Sequence, residues 1–218
     1  MSVVKRVFGS TVGTKAVVGL TGLGLVVFVI THLLGYLTVF GGAELMNEYA
    51  AKLHELGPLL LVAEIGLLLT FLVHIIFTVR LTLANRAAKG TGYRVSASKQ
   101  EGFVALMASK TMAISGLIVL AFLVVHIWDM RLQRDPDGKT YELMVSTLGG
   151  SGWRVALYTI GSLLVGWHLS HGFQSAFRSL GFSHGQGQSL IARLGTVLAF
   201  VLGVGFACIP LWIAFGRG

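Results

Sequence analysis

Five stretches of this 218-residue chain run nearly free of charge, near Val17–Phe40, Pro58–Arg80, Lys110–Met130, Arg154–Phe177 and Leu190–Phe215. Each is about as long as the ~20 apolar residues that cross ~30 Å of hydrocarbon as a helix. The polar segments between them are short, so consecutive helices are expected to pack antiparallel. Within Gly41–Gly57, the segment Asn47–Leu56 alternates polar and apolar residues like a short interfacial helix. Arg86–Ser109 reads as a polar loop, Arg131–Gly152 as a loop with turn chemistry at Asp135-Pro136-Asp137-Gly138, and Leu180–Ser189 as a glycine-rich turn. The pattern predicts an all-α membrane protein of five transmembrane helices, forming one domain over residues 1–218.

Composition agrees: 54% of residues are hydrophobic and 12% charged, about half the charged fraction of soluble domains. No polar segment is long enough to bury a core of its own, so any soluble catalytic domain belongs to another chain. The single Cys208 excludes an internal disulfide. The first span is too long for a signal core and is expected to be retained. The net charge of +8 is distributed as membrane loops would carry it, which points to lipid and not to nucleic acid. With the N-terminus inside, eleven Lys/Arg against one acid lie on the inner side, and six against seven on the outer. That bias places the N-terminus in the cytoplasm and the C-terminus outside a bacterial inner membrane. The basic side meets an anionic leaflet or a soluble partner.

Four of the seven histidines, His32, His74, His126 and His168, lie deep in four different spans. Intramembrane ionisable groups are costly and face a bundle interior with a partner. His32 and His74 are 42 residues apart, and so are His126 and His168. Lys15 and Lys110 open the spans that carry His32 and His126, which suggests a duplicated two-helix unit followed by a fifth helix without histidine. At about 1.5 Å per residue, His32 lies ~6 Å and His126 ~9 Å outward of mid-span, His74 ~7 Å and His168 ~3 Å inward. Two histidines at each of two levels is the arrangement that two stacked haems need.

Other readings compete. A membrane histidine commonly hydrogen-bonds across helices. A zinc site lacks Cys, Asp or Glu at ligand spacing. A proton relay would mix carboxylates with histidines, and Glu64 is the one acid in the interior of a span, Asp129 lying at the end of its own. His171, ~8 Å inward, is a second candidate on the fourth span. His168 is preferred because Gly172, one turn on, leaves room for a macrocycle.

The chain resembles the dihaem cytochrome b membrane anchor of succinate:quinone oxidoreductases, the five-helix single-subunit type. The resemblance spans nearly the whole chain. It is carried by Thr-His32-Leu-Leu, Val-His74-Ile-Ile, Val-His126-Ile-Trp-Asp and His168-Leu-Ser-His-Gly with Ser175 and Leu180-Gly181. It implies His32 and His126 as axial ligands of an outer (distal) haem b, and His74 and His168 of an inner (proximal) one. It further implies flavoprotein and iron–sulfur partner subunits on the cytoplasmic face, and a membrane quinone, menaquinone in most dihaem members. Relatives that couple fumarate reduction to proton movement carry a glutamate two residues before the helix-four ligand. Gly166 stands there in this chain, which favours succinate oxidation.

Arg80 and Arg178 end their spans on the inner side, where haem propionates need cations or where long side chains snorkel. Glu64 is expected to be protonated, paired or beside water, with a role in proton exchange at an outer quinone or haem. Tyr36 and Trp128 read as interfacial belt residues beside Asp129. His54 and His184 read as loop residues with no redox role. Two alternative functions stand beside the main one: a dihaem cytochrome b serving another quinone-linked dehydrogenase, and a haem-free transporter that uses its histidines for proton coupling.

Overall fold

The computed structural model describes residues 9–88, 103–134, 138–182 and 187–216. Among them the chain is helical, with no strand. Helix α1 spans Thr11–Tyr36, α2 Ala43–His54, α3 Pro58–Ala88, α4 Phe103–Ile127, α5 Thr140–Leu148, α6 Gly152–Ser179 and α7 Gly187–Phe215. A 3-10 turn, Leu37–Gly41, extends α1, and a π-turn, Trp128–Leu132, extends α4. The long helices run beyond the apolar stretches that predict them, because backbone hydrogen bonding does not stop where hydrocarbon does.

Local chemistry explains the ends. The Ser10 side chain accepts from the Gly13 amide at 3.0 Å, capping α1. Gly42 and Gly57 adopt φ of +89° and +52°, a region open to glycine. They turn the chain into and out of α2, and Pro58 then starts α3 where its missing N–H costs nothing.

Among the described residues four helices are long and apolar enough to cross a membrane: α1 with its 3-10 extension, α3, the Thr111–Leu132 segment and α7. Helix α3 has no buried residue from Pro58 to Ala87 and turns leucines such as Leu59, Leu61, Leu68 and Leu69 outward. An exposed apolar face of that extent marks a membrane or protein contact, and the helix has the length and composition of a membrane span. Helix α6 has the length, 28 residues, but falls outside that apolar set. The reason is its position: it packs on α1, α4 and α7. Its buried residues Tyr158, Ser162, Gly166, Ser170 and Gln174 recur every fourth position, one ridge of small and polar side chains facing protein instead of lipid.

Around the bundle α3 packs on α1, α1 on α6, and α6 on α4, with α7 laid along α6. Helices α1 and α4, and likewise α3 and α6, therefore face each other across diagonals. Helices α2 and α5 lie over one end. The core there joins Val39, Met46, Met144, Leu148, Ile209 and Ile213. Asn47 ties the two short helices together: its Nδ2 donates to Glu142 Oε2 and its Oδ1 accepts from the Tyr141 amide, each at 2.9 Å. Helix α5 corrects the expectation of a loop over 131–152.

Candidate haem-binding centre

The long helices bring the four span histidines together in pairs. At the end covered by α2 and α5, His32 of α1 and His126 of α4 meet across a diagonal, ring centroids 5.9 Å apart and planes at 86°. Their surround is aromatic. Phe28 stacks on His32 at 5.0 Å, with Tyr36 at 4.7 Å and Phe206 at 5.7 Å. Phe122 and Tyr158 lie 5.9 and 5.8 Å from His126. Tyr36 thus packs on a histidine instead of sitting in an interfacial belt; Trp128, 57% exposed, fits the belt reading.

Across the other diagonal, His74 of α3 and His168 of α6 lie within electrostatic reach of each other. Each imidazole Nδ1 meets a hydroxyl on the neighbouring helix. Thr21 Oγ1 lies 3.1 Å from His74 Nδ1, and Ser115 Oγ 3.2 Å from His168 Nδ1. Beside each hydroxyl is a glycine, Gly22 or Gly116, whose absent Cβ would lie 3.2 Å from the histidine Cε1. These four residues escaped the sequence reading. The signal that finds them is the register of the duplication: Thr21 and Ser115, Gly22 and Gly116, Phe28 and Phe122, and both histidine pairs are each 94 residues apart. The same offset relates α2 to the unforeseen α5.

The other candidates fall around these pairs. His171 is within electrostatic reach of both His168 and Arg178, and its Nδ1 is buried with no hydrogen-bond partner among the described residues. Gly172 adjoins Met112, the missing Cβ lying 3.7 Å from Met112 Cε, and no histidine. Arg80 is exposed at the far end of the bundle. Glu64 is paired: Arg131 donates to both its carboxylate oxygens, at 3.1 and 2.8 Å. A cavity of about 670 Å³ adjoins this pair, lined also by His54, Leu60, Leu61 and Arg134. His54 ends α2 and accepts from Arg134 at 2.7 Å, so it is not a loop residue. Lys110 and His184 carry side chains outside the described residues.

Asp129 has the most enclosed carboxylate described, 3% exposed. The π-turn swings it inward, where Arg154 donates to both oxygens at 3.1 Å and the Tyr158 hydroxyl donates at 3.4 Å. Such π-turns concentrate at functional sites.

No family model, curated protein or solved structure matches the chain.

The residues present fit a haem pair on the chemistry of the donors. Imidazole is an axial ligand of haem iron. His32 and His126, 5.9 Å apart between ring centroids, would be the two residues holding one such group. Among the described residues no three His, Cys, Asp or Glu side chains converge on one point, so each pair offers two protein ligands. The position of Gly166 also has a physical reason. A Cβ there would meet the Ala199 carbonyl oxygen at 2.6 Å and Gly203 Cα at 2.9 Å. It faces α7, with no space for a glutamate side chain.

Proposed function

We propose that this chain is the dihaem cytochrome b subunit of a succinate:quinone oxidoreductase, with α6 as a fifth membrane-crossing helix. In this reading His32 and His126 hold the outer haem b, and His74 and His168 the inner one. The observation that carries it is the crossing of two diagonals: four imidazoles, from α1, α3, α4 and α6, fall in two pairs, His32 and His126 in ring contact and His74 and His168 within electrostatic reach. A bis-histidine haem carries one electron at a time and leaves its iron no position for oxygen.

The chain's own residues do the rest. Phe28, Phe122 and Phe206 keep the outer site dry. Arg178, beside His171, and Arg80 offer cations for inner propionates. Glu64, in its pair with Arg131 beside the cavity, is the candidate for proton exchange with a quinone, menaquinone by the resemblance. Flavoprotein and iron–sulfur subunits dock on the basic face where α3 and α6 end, which the charge bias makes cytoplasmic.

The test is a reduced-minus-oxidised spectrum and a pyridine haemochrome count on the purified chain, expressed with ample haem. Two haems b per chain are expected; a colourless protein overturns the reading and favours the proton-coupled transporter. Co-purification then decides the partner. Succinate-oxidising subunits support the proposal, and a hydrogenase or formate dehydrogenase replaces it with the other quinone-linked reading.

A further inference from the structure

The direction of the hydrogen bonds at Thr21 and Ser115 carries more than their distances. A hydroxyl has one hydrogen and two lone pairs. The Thr21 hydrogen is committed to its own helix: Oγ1 donates to the Val17 carbonyl at 2.7 Å, with the Val18 carbonyl at 3.2 Å. Ser115 donates likewise to the Met112 carbonyl at 3.1 Å. With its hydrogen so placed, each hydroxyl turns a lone pair toward the imidazole, which assigns each Nδ1 as the donor. Glycine makes both contacts possible, since a side chain at Gly22 or Gly116 would press on the ring at Cε1.

In a neutral imidazole one nitrogen holds the proton and the other the lone pair. With Nδ1 protonated, Nε2 is bare, the state a metal ligand requires. We propose that Thr21 and Ser115 are positioning residues. Their hydroxyls lock His74 and His168 in the Nδ1–H tautomer, fix both ring planes, and leave two Nε2 lone pairs for one inner iron. This rests on the proposed haem function for the iron, and on hydrogen-bond geometry alone for the tautomer. It assigns matching roles to two residues 94 positions apart. It also separates the two centres chemically, because His126 Nδ1 is buried with no hydrogen-bond partner among the described residues.

An outer-shell acceptor raises the basicity of its ligand, and its loss typically weakens metal binding by about 10–100-fold. The experiment compares T21V, S115A and the conservative T21S with the wild type. In the haem-loaded protein, T21V or S115A is expected to raise the midpoint potential of one haem and leave the other unchanged. Retention of that haem should weaken by roughly 10-fold or more, and T21S should restore both. In protein purified without haem, nitrogen NMR of labelled histidine should show Nδ1–H tautomers for His74 and His168, with T21V disturbing only His74. Two haems with wild-type potentials in T21V and S115A overturn the positioning role and leave the cytochrome reading standing. A haem-free wild type with both tautomers intact overturns the cytochrome reading and leaves the hydrogen-bond assignment standing.

Discussion

Gly166 of α6 and Gly203 of α7 meet backbone to backbone: a Cβ on Gly203 would lie 3.2 Å from the Gly166 Cα, and one on Gly166 only 2.9 Å from the Gly203 Cα. Close approach through small residues drives helix association where lipid removes any hydrophobic difference between inside and outside. Any side chain at Gly166 must push the two helices apart.

Replacing Gly166 with alanine should cost about 1–3 kcal/mol through overpacking, and glutamate considerably more. Thermal unfolding in detergent, followed by circular dichroism, measures both. A G166E protein as stable as the wild type would show that α6 and α7 separate easily here.

On the proposed function, the two diagonals make separable predictions for the histidines. H74A or H168A should each remove the same single haem and leave the other spectrally intact. H32A or H126A should remove the other one. Low-temperature difference spectra with haem counts report this directly, and loss of different haems from H74A and H168A would break the pairing.

Asp129 and Arg154 form an ion pair in which the carboxylate is 3% exposed and the guanidinium side chain 33% exposed. Removing one member of a buried pair strands the other, at a cost of about 3 kcal/mol. R154M should therefore destabilise more than D129N, which keeps a polar amide able to accept from arginine. Replacing both with apolar residues should recover much of the loss. A double-mutant cycle on detergent unfolding midpoints supplies the coupling.

His54 gives a pH prediction at the cap. Burial, then the Arg134 and Arg131 guanidinium groups, hold its imidazole below the ordinary 6.5, with Glu64 opposing. Its Nε2 accepts from Arg134, so the contact needs the neutral ring. A lowered folded-state pKa means that the unfolded chain binds the proton more readily. Its contribution to stability is therefore whole above pH 6.5 and is lost as pH falls through the folded value. The wild-type melting temperature should drop below pH 6.5 more steeply than that of H54Q; parallel curves would remove His54 from the cap's stability.

Much of the helical architecture was legible because bilayer hydrocarbon imposes one rule, about 20 uncharged residues per crossing. Helix α6 shows where that rule thins. Its Ser162, Gly166, Ser170 and Gln174 read as a poor span because they face protein. The nearness of His32 to His126 and of His74 to His168 follows the order that counting along the spans predicts. Thr21 and Ser115 were not legible, since lone hydroxyls in apolar helices are ordinary and only the 94-residue register singles them out. The packing of Tyr36 on His32 is not legible, because nothing in the sequence shows that the chain after it tightens into a 3-10 turn. The inward direction of Asp129 depends on a π-turn, which leaves no compositional trace.

The diagonal arrangement has a consequence for biogenesis. The first repeat supplies His32 and His74, the second His126 and His168, yet each pair takes one member from either repeat. A ribosome that has released only the first half has made two unmatched imidazoles and no complete clamp. On the proposed function, pigment capture must wait until the second half has folded against the first, so colour would report that the two halves have joined.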